Sequence, residues 1–404
     1  MNTVSSKVDA APVSGRAPVR VAVLLLFLLL SGAGQDAYGQ ASPGSVLDDP
    51  FVREIAQTGL DNLYDLKFDA ATAAFERIDR RLPEHPIGPF LLSLTTWWEI
   101  LLDLNDTSRD EQFYDAMDEV IERSDAMLKR DARNVDAMFF KGAALGFRGR
   151  LRSNRGDWFK SAMDGKKAMD YVLGVPELDP DNDDYQFGKG IYDYFAAVIP
   201  EQYPFVKPVM AFFPSGDRQR GLDLISRTAD HGYFIKAEAA YFLVQIYFLY
   251  EKDYSKCLHY LNWLREAYPD NSYFHALEGR VYANWGQWSR STAIFDEVLK
   301  RYIAKDRGYN EAIAEQALYF IARGRMVDRE HDQALSTLLQ LEALSARTSD
   351  DTYFKVLGRL RQGMCYDALG KRPQAEERYR QVLRMKDFGG AHDRADRYLE
   401  RPYR

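Results

Sequence analysis

Four stretches of the chain set a small residue, a second small residue twelve positions later, and a bulky apolar one four positions after that: Gly59, Ala71 and Phe75; Gly279, Ser291 and Phe295; Ala322, Ala334 and Leu338; Gly363, Ala375 and Tyr379. Gln245, Cys257 and Leu261 keep the same offsets with a looser fit. Small side chains let two antiparallel helices cross closely, and the bulky residue fills the space between one helix pair and the next. A chain built this way grows by stacking pairs, so its 404 residues do not count domains. With 25 Tyr and 23 Phe and no long run of Val and Ile, an all-α fold packed through aromatic knobs is expected, with no strand.

Punctuation divides the sequence into about eight helix-pair units. The first, 52–83, ends where Pro83 and Pro86 stop its second helix. The second opens with a segment apolar on nearly every face, 90–102, expected to be buried between neighbours, and continues amphipathically over 110–130. The third places helices near 135–147 and 158–172, with Gly142 read as a close helix contact. The fourth begins near Asp183, is interrupted by a proline and aromatic insertion at 199–214, and resumes at Asp217, whose carboxylate can accept from first-turn amides. Spacing is then regular over 237–270, which Pro269 terminates, and over 272–303, 311–344 and 353–386. The organisation expected is a signal peptide at 1–39, a flexible linker at 40–50, a solenoid over 51–388 and a capping tail at 389–404 with a short helix through Ala395 and Leu399.

These sets resemble the tetratricopeptide repeat (TPR) family over most of the chain. The resemblance implies a right-handed α-α superhelix whose first helices line a concave groove. Groove-facing positions are then Phe242, Ile246 and Tyr250; Tyr273, Arg280 and Asn284; Tyr319, Arg323 and Met326; and Leu360, Met364 and Asp367. Tyr273, Arg280, Asn284, Tyr319 and Arg323 could grip an extended peptide, its backbone by the asparagine and a carboxylate by the arginines. The alternative is that they are the exposed half of their helices. A second, shorter resemblance spans 188–224 through Gly190, Pro200, Lys207, Gly216, Asp217, Arg218 and Gly221. It looks like the TPR family that includes eukaryotic inclusion-body-clearance proteins, and it implies that the insertion belongs to the fold. Those relatives are intracellular, so their cellular role is not carried over.

Arg16 and Arg20 precede an apolar run, 21–30, and a small-residue pattern at Ala37-Tyr38-Gly39, which reads as a secretory signal cut before Gln40. An uncleaved anchor is the alternative, although the run falls short of the roughly 20 apolar residues of a span. Either way the body is expected outside the cytoplasm, in the periplasm and in contact with the envelope. The net charge of −7 becomes −8 without the leader, which carries Lys7, Arg16 and Arg20 against Asp9 and Asp36. So acidic a surface is a poor nucleic-acid binder. Cys257 and Cys365 fall three units apart, too far to bridge.

No constellation for catalysis is visible, and neither a cofactor nor a metal is expected. Asp179, Asp181 and Asp183 alternate like a calcium loop, but Asp184 stands where glycine is required and Gly190 where a carboxylate is required; a helix cap explains them better. The six histidines show no paired metal spacing. The strongest basic cluster, Arg148, Arg150, Arg152 and Arg155 with nearby lysines, reads either as an anion or lipid head-group site at a turn or as a solvated turn neutralised by Asp157, Asp164 and Asp170. The aromatic insertion either covers a ligand or membrane, or folds back to fill the interior. Two functions follow: a non-catalytic scaffold that binds a protein or peptide in the groove, and a carrier or sensor of an apolar or anionic ligand beneath 199–214. An enclosed apolar cavity there would favour the second.

Overall fold

The structure, a computed structural model, describes residues 44–204, 207, 213–348 and 350–404. The leader at 1–39 lies outside the described residues, as do 205, 206 and 208–212 of the insertion. The fold is all-α: the described residues form seventeen α-helices with a 3-10 turn at Val46–Asp48, a π turn at Tyr247–Glu251 and no strand. They gather into two compact units, one ending at Lys252 and the other beginning at Asp253.

In the first unit, α1 (Pro50–Tyr64) pairs with α2 (Phe68–Arg81), α3 (Ile87–Leu102) with α4 (Asp110–Arg130), α5 (Val135–Arg155) with α6 (Trp158–Leu178), and α7 (Asp183–Gln202) with α8 (Arg218–His231). A single helix, α9 (Lys236–Ile246), runs on into the π turn. The repeat geometry matches its sequence cause, because a Cβ added to Gly59 would collide with the Phe75 ring. As its composition requires, α3 is buried at almost every position.

The motif over 188–224 joins α7 to α8. Backbone approaches backbone where Gly216 and Gly221 face α7. Asp217 caps α8 by accepting from the Arg220 amide at 3.0 Å, and Arg220 grips the buried Asp193 with two bonds of 2.6 and 2.7 Å. Arg218 pairs with Glu251. The Asp184 carboxylate then seats α9 by accepting from the amides of Tyr233, Phe234 and Ile235. The unit curls until its first and last helices meet: Tyr64 Oη donates to Glu238 Oε2 at 3.2 Å, and the Arg53 guanidinium lies 4.0 Å over the Tyr233 ring.

Three expectations for this unit need correction. The helix expected to end near Phe147 continues to Arg155 and stops at Gly156, whose φ of +82° suits the left-handed C-cap. Its partner likewise runs on from Val172 to Leu178. The described part of the supposed flexible linker is fixed: Leu47 is buried, Ser45 Oγ donates to Asp136 Oδ1 at 2.5 Å, and the Val46 amide donates to Asp136 Oδ2 at 2.7 Å. Burial opposes the Asp136 charge, but bonds from His85, Ser45 and Val46 outweigh it and hold its carboxyl below the usual range.

The second unit begins with α10 (Tyr254–Ala267) and pairs α11 (Ser272–Asn284) with α12 (Trp288–Ile303), α13 (Glu311–Val327) with α14 (His331–Ser345), and α15 (Tyr353–Ala368) with α16 (Arg372–Val382), ending in α17 (Ala391–Glu400). Added Cβ atoms on Gly279 and Gly363 would strike Phe295 and Tyr379, so the small and bulky repeat positions meet as the cadence requires. Ala322, Ala334, Leu338, Ala375, Cys257 and Leu261 are fully buried. The last helix is held by Arg372, which donates to the carbonyls of Tyr398 and Leu399 at 2.8 and 2.6 Å while pairing with the buried Asp367. Both cysteines are buried thiols, and burial pushes each up to about 12.

Candidate functional site

The first unit holds a cavity of about 380 Å³ that is partly open to solvent. Its walls are the inward stripes of α1, α3, α5, α6, α7 and α9, set at helical spacing: Ala56, Leu60 and Tyr64 on α1, Phe139, Ala143, Phe147 and Arg150 on α5, and Glu238, Phe242 and Gln245 on α9 with its N-cap Ile235. Leu47 of the 3-10 turn and Phe213, at the end of the insertion, also line it. Small residues on α5 make the room. A Cβ on Gly142 would sit 3.0 Å from Tyr171 Cβ, so that glycine brings α6 close; one on Gly146 would meet nothing within 4 Å.

Lys166 and one charged pair interrupt the apolar wall. The Arg150 guanidinium lies over the rings of Trp97, Tyr241 and Phe242 at 4.9, 5.6 and 4.8 Å, and its nitrogens stand 3.4 Å from Glu238 Oε1 and Tyr241 Oη. Burial raises the Glu238 carboxyl above its ordinary value, with Arg150 and the Tyr64 hydroxyl acting against the rise. Further along α9 the wall carries Gln245 and, from the π turn, Leu249 and Tyr250. Gln245 Nε2 and Tyr250 Oη are buried and have no hydrogen-bond partner among the described residues. Tyr250 packs with Phe195 and Tyr203, and burial pushes its phenol well above the ordinary range.

The basic cluster is distributed differently from its sequence reading. All four arginines lie on α5 rather than at a turn, each against a carboxylate: Arg148 with Asp164 and Asp118, Arg152 with Asp164, Arg155 with Asp110, and Arg150 with Glu238. Only Arg150 reaches the cavity. In the second unit, Tyr273, Arg280, Tyr319 and Arg323 are buried rather than exposed, with Arg323 lying 4.8 Å over Trp288. Asn284 is half-buried, its amide donating to the Arg280 carbonyl at 2.9 Å. Phe242 and Tyr250, implied as groove-facing, do line the inner wall, whereas Ile246 is buried outside the cavity lining.

Ser45, His85 and Asp136 come together unforeseen, but the serine donates directly to the aspartate and His85 Nε2 stands 3.5 Å from the other carboxylate oxygen. That arrangement anchors a segment, since the imidazole stands on the aspartate and not on the serine, unlike a serine–histidine nucleophile pair. Asn182 Oδ1 accepts from the Asp184 amide, the cap expected in place of a calcium loop. No group of potential metal ligands occurs among the described residues, and no described helix is long and apolar enough to cross a membrane.

No protein-family model and no curated protein matches the chain. Among solved structures it is similar to the TPR domain of P58(IPK), at 16% identity over 86% of this chain and 88% of that one, with a TM-score of 0.26. It is also similar to the Cut9–Hcn1 hetero-tetramer of the APC/C, at 14% identity over 82% of this chain and 72% of that one, with a TM-score of 0.24. The TPR-like assignment stands on the helix pairs themselves.

Proposed function

We propose that this chain is a non-catalytic, TPR-like binding protein whose first unit carries or senses an extended apolar ligand. The cavity supports this reading. Close-packed interiors keep few voids larger than water, and an apolar cavity of about 150 Å³ already takes up benzene. At about 380 Å³, with Arg150 and Glu238 as its charged pair, the space falls in the range of small-molecule sites. Gly146→Leu tests it. The new side chain would grow into open space, and the helix interior would gain roughly 0.8 kcal/mol of propensity. Uptake of a fluorescent alkyl probe should fall at least tenfold with the melting temperature kept or raised; undiminished uptake by the folded variant rules the cavity out as the site.

The second reading, a scaffold for a protein or peptide, is favoured by the repeat architecture, since stacked helix pairs present extended surfaces. Replacing Arg280, Asn284 and Arg323 together by alanine and comparing what co-purifies from envelope extract separates the two provided that the melting temperature is kept, since Arg280 and Arg323 are buried; a ligand carrier that stays folded would lose nothing. We place the protein in the envelope on the strength of Arg16, Arg20 and the apolar run at 21–30. Fractionation of cells expressing the full chain should recover it there without residues 1–39.

A further inference from the structure

The polar atoms left unmatched on the cavity wall share a face and a function. Gln245 and Tyr250 are five residues apart, which on a regular α-helix would set them about 140° apart around the axis. The π turn at Tyr247–Glu251 supplies one extra residue, so the five-residue step acts as the four-residue step that keeps side chains on one face. Both then line the cavity beneath the aromatic cluster of Phe195, Tyr203 and Phe213. Gln245 Nε2 and Tyr250 Oη can both donate, and a single carbonyl oxygen has two lone pairs to receive them. Arg150, in contrast, already has a carboxylate beside it and three aromatic faces around it. What the two unmatched donors lack is therefore a hydrogen-bond acceptor.

Resting on the reading of the cavity as a ligand site, we infer that Gln245 and Tyr250 form a head-group site for the acyl carbonyl of a long-chain acyl compound, whose hydrocarbon chain lies along the apolar wall. An ester offers a neutral carbonyl oxygen and an ionised acid a carboxylate oxygen to the same two donors, and binding separates them. Methyl decanoate, decanoic acid and undecane are to be competed against a fluorescent alkyl probe. One hydrogen bond to a buried, otherwise unmatched donor corresponds to roughly a tenfold change in affinity. Wild-type protein should bind the ester or the acid at least tenfold more tightly than undecane, and the tighter of the two names the source. A Gln245→Leu, Tyr250→Phe double variant should lose that advantage while keeping its affinity for undecane.

Equal binding of all three compounds by the wild type, or an advantage that survives in the double variant, overturns the head-group site and leaves the cavity reading standing. Failure of every compound and of the probe itself overturns both. Tyr250→Phe alone gives an independent readout: removal of a hydroxyl that has no partner should hold or raise the melting temperature. A fall of several degrees would mean that the hydroxyl is already satisfied within the protein, and would sink the inference.

Discussion

At the scale of single residues, the same substitution should have opposite effects at two kinds of glycine. An alanine Cβ at Gly279 would stand 2.6 Å from the Phe295 ring, which is fully buried and stacked on Phe320 at 4.9 Å and so has nowhere to go. Gly279→Ala should cost about 1–2 kcal/mol even after a gain of about 1 kcal/mol in helix propensity, read as a lower denaturant midpoint. Gly146→Ala meets nothing and should stabilise by about that gain. The first kind was legible in the sequence because a fixed offset to a bulky partner exposes it. Gln245 was not: it occupies a small-residue position of the loosest repeat set, and its misfit there is the one signal that could have marked it.

At the scale of elements, charge was the part hardest to read. The stretch after Phe147 looks like a turn because arginine and glycine alternate there, yet it is helix, since Asp118, Asp164 and Asp110 on neighbouring helices receive its cations. Pairings between residues 12 to 45 positions apart leave no periodic trace. The Ser45–Asp136 anchor was illegible for the same reason, its ends lying 91 positions apart. Asp136→Ala should release the 3-10 turn: amide hydrogen exchange at Val46 and Leu47 is expected to speed up by roughly 10–100-fold, as loss of charge-assisted bonds implies. Protection unchanged from wild type would show that burial of Leu47 alone holds the segment.

At the scale of the whole molecule, acid sensitivity should include a contribution from the second unit. His275 is buried against Tyr309, with Nδ1 2.9 Å from the phenol oxygen, and burial together with Arg265 and Arg301 lowers its pKa from 6.5 to about 3. Above pH 6.5 the ring is neutral in both folded and unfolded chains and contributes nothing. Between 6.5 and 3 only the unfolded chain takes up the proton, so stability falls as pH falls, by up to about 1.4 kcal/mol per pH unit. His275→Leu should flatten the plot of melting temperature against pH in that window, and a slope equal to wild type would assign the acid loss elsewhere. Most of the fold is local, each helix finding its mate within a few dozen residues, which favours rapid assembly. The first unit departs from this where Tyr64 meets Glu238 across 174 positions. Like the clasp of a hoop, that junction should close last during folding and part first in thermal breathing.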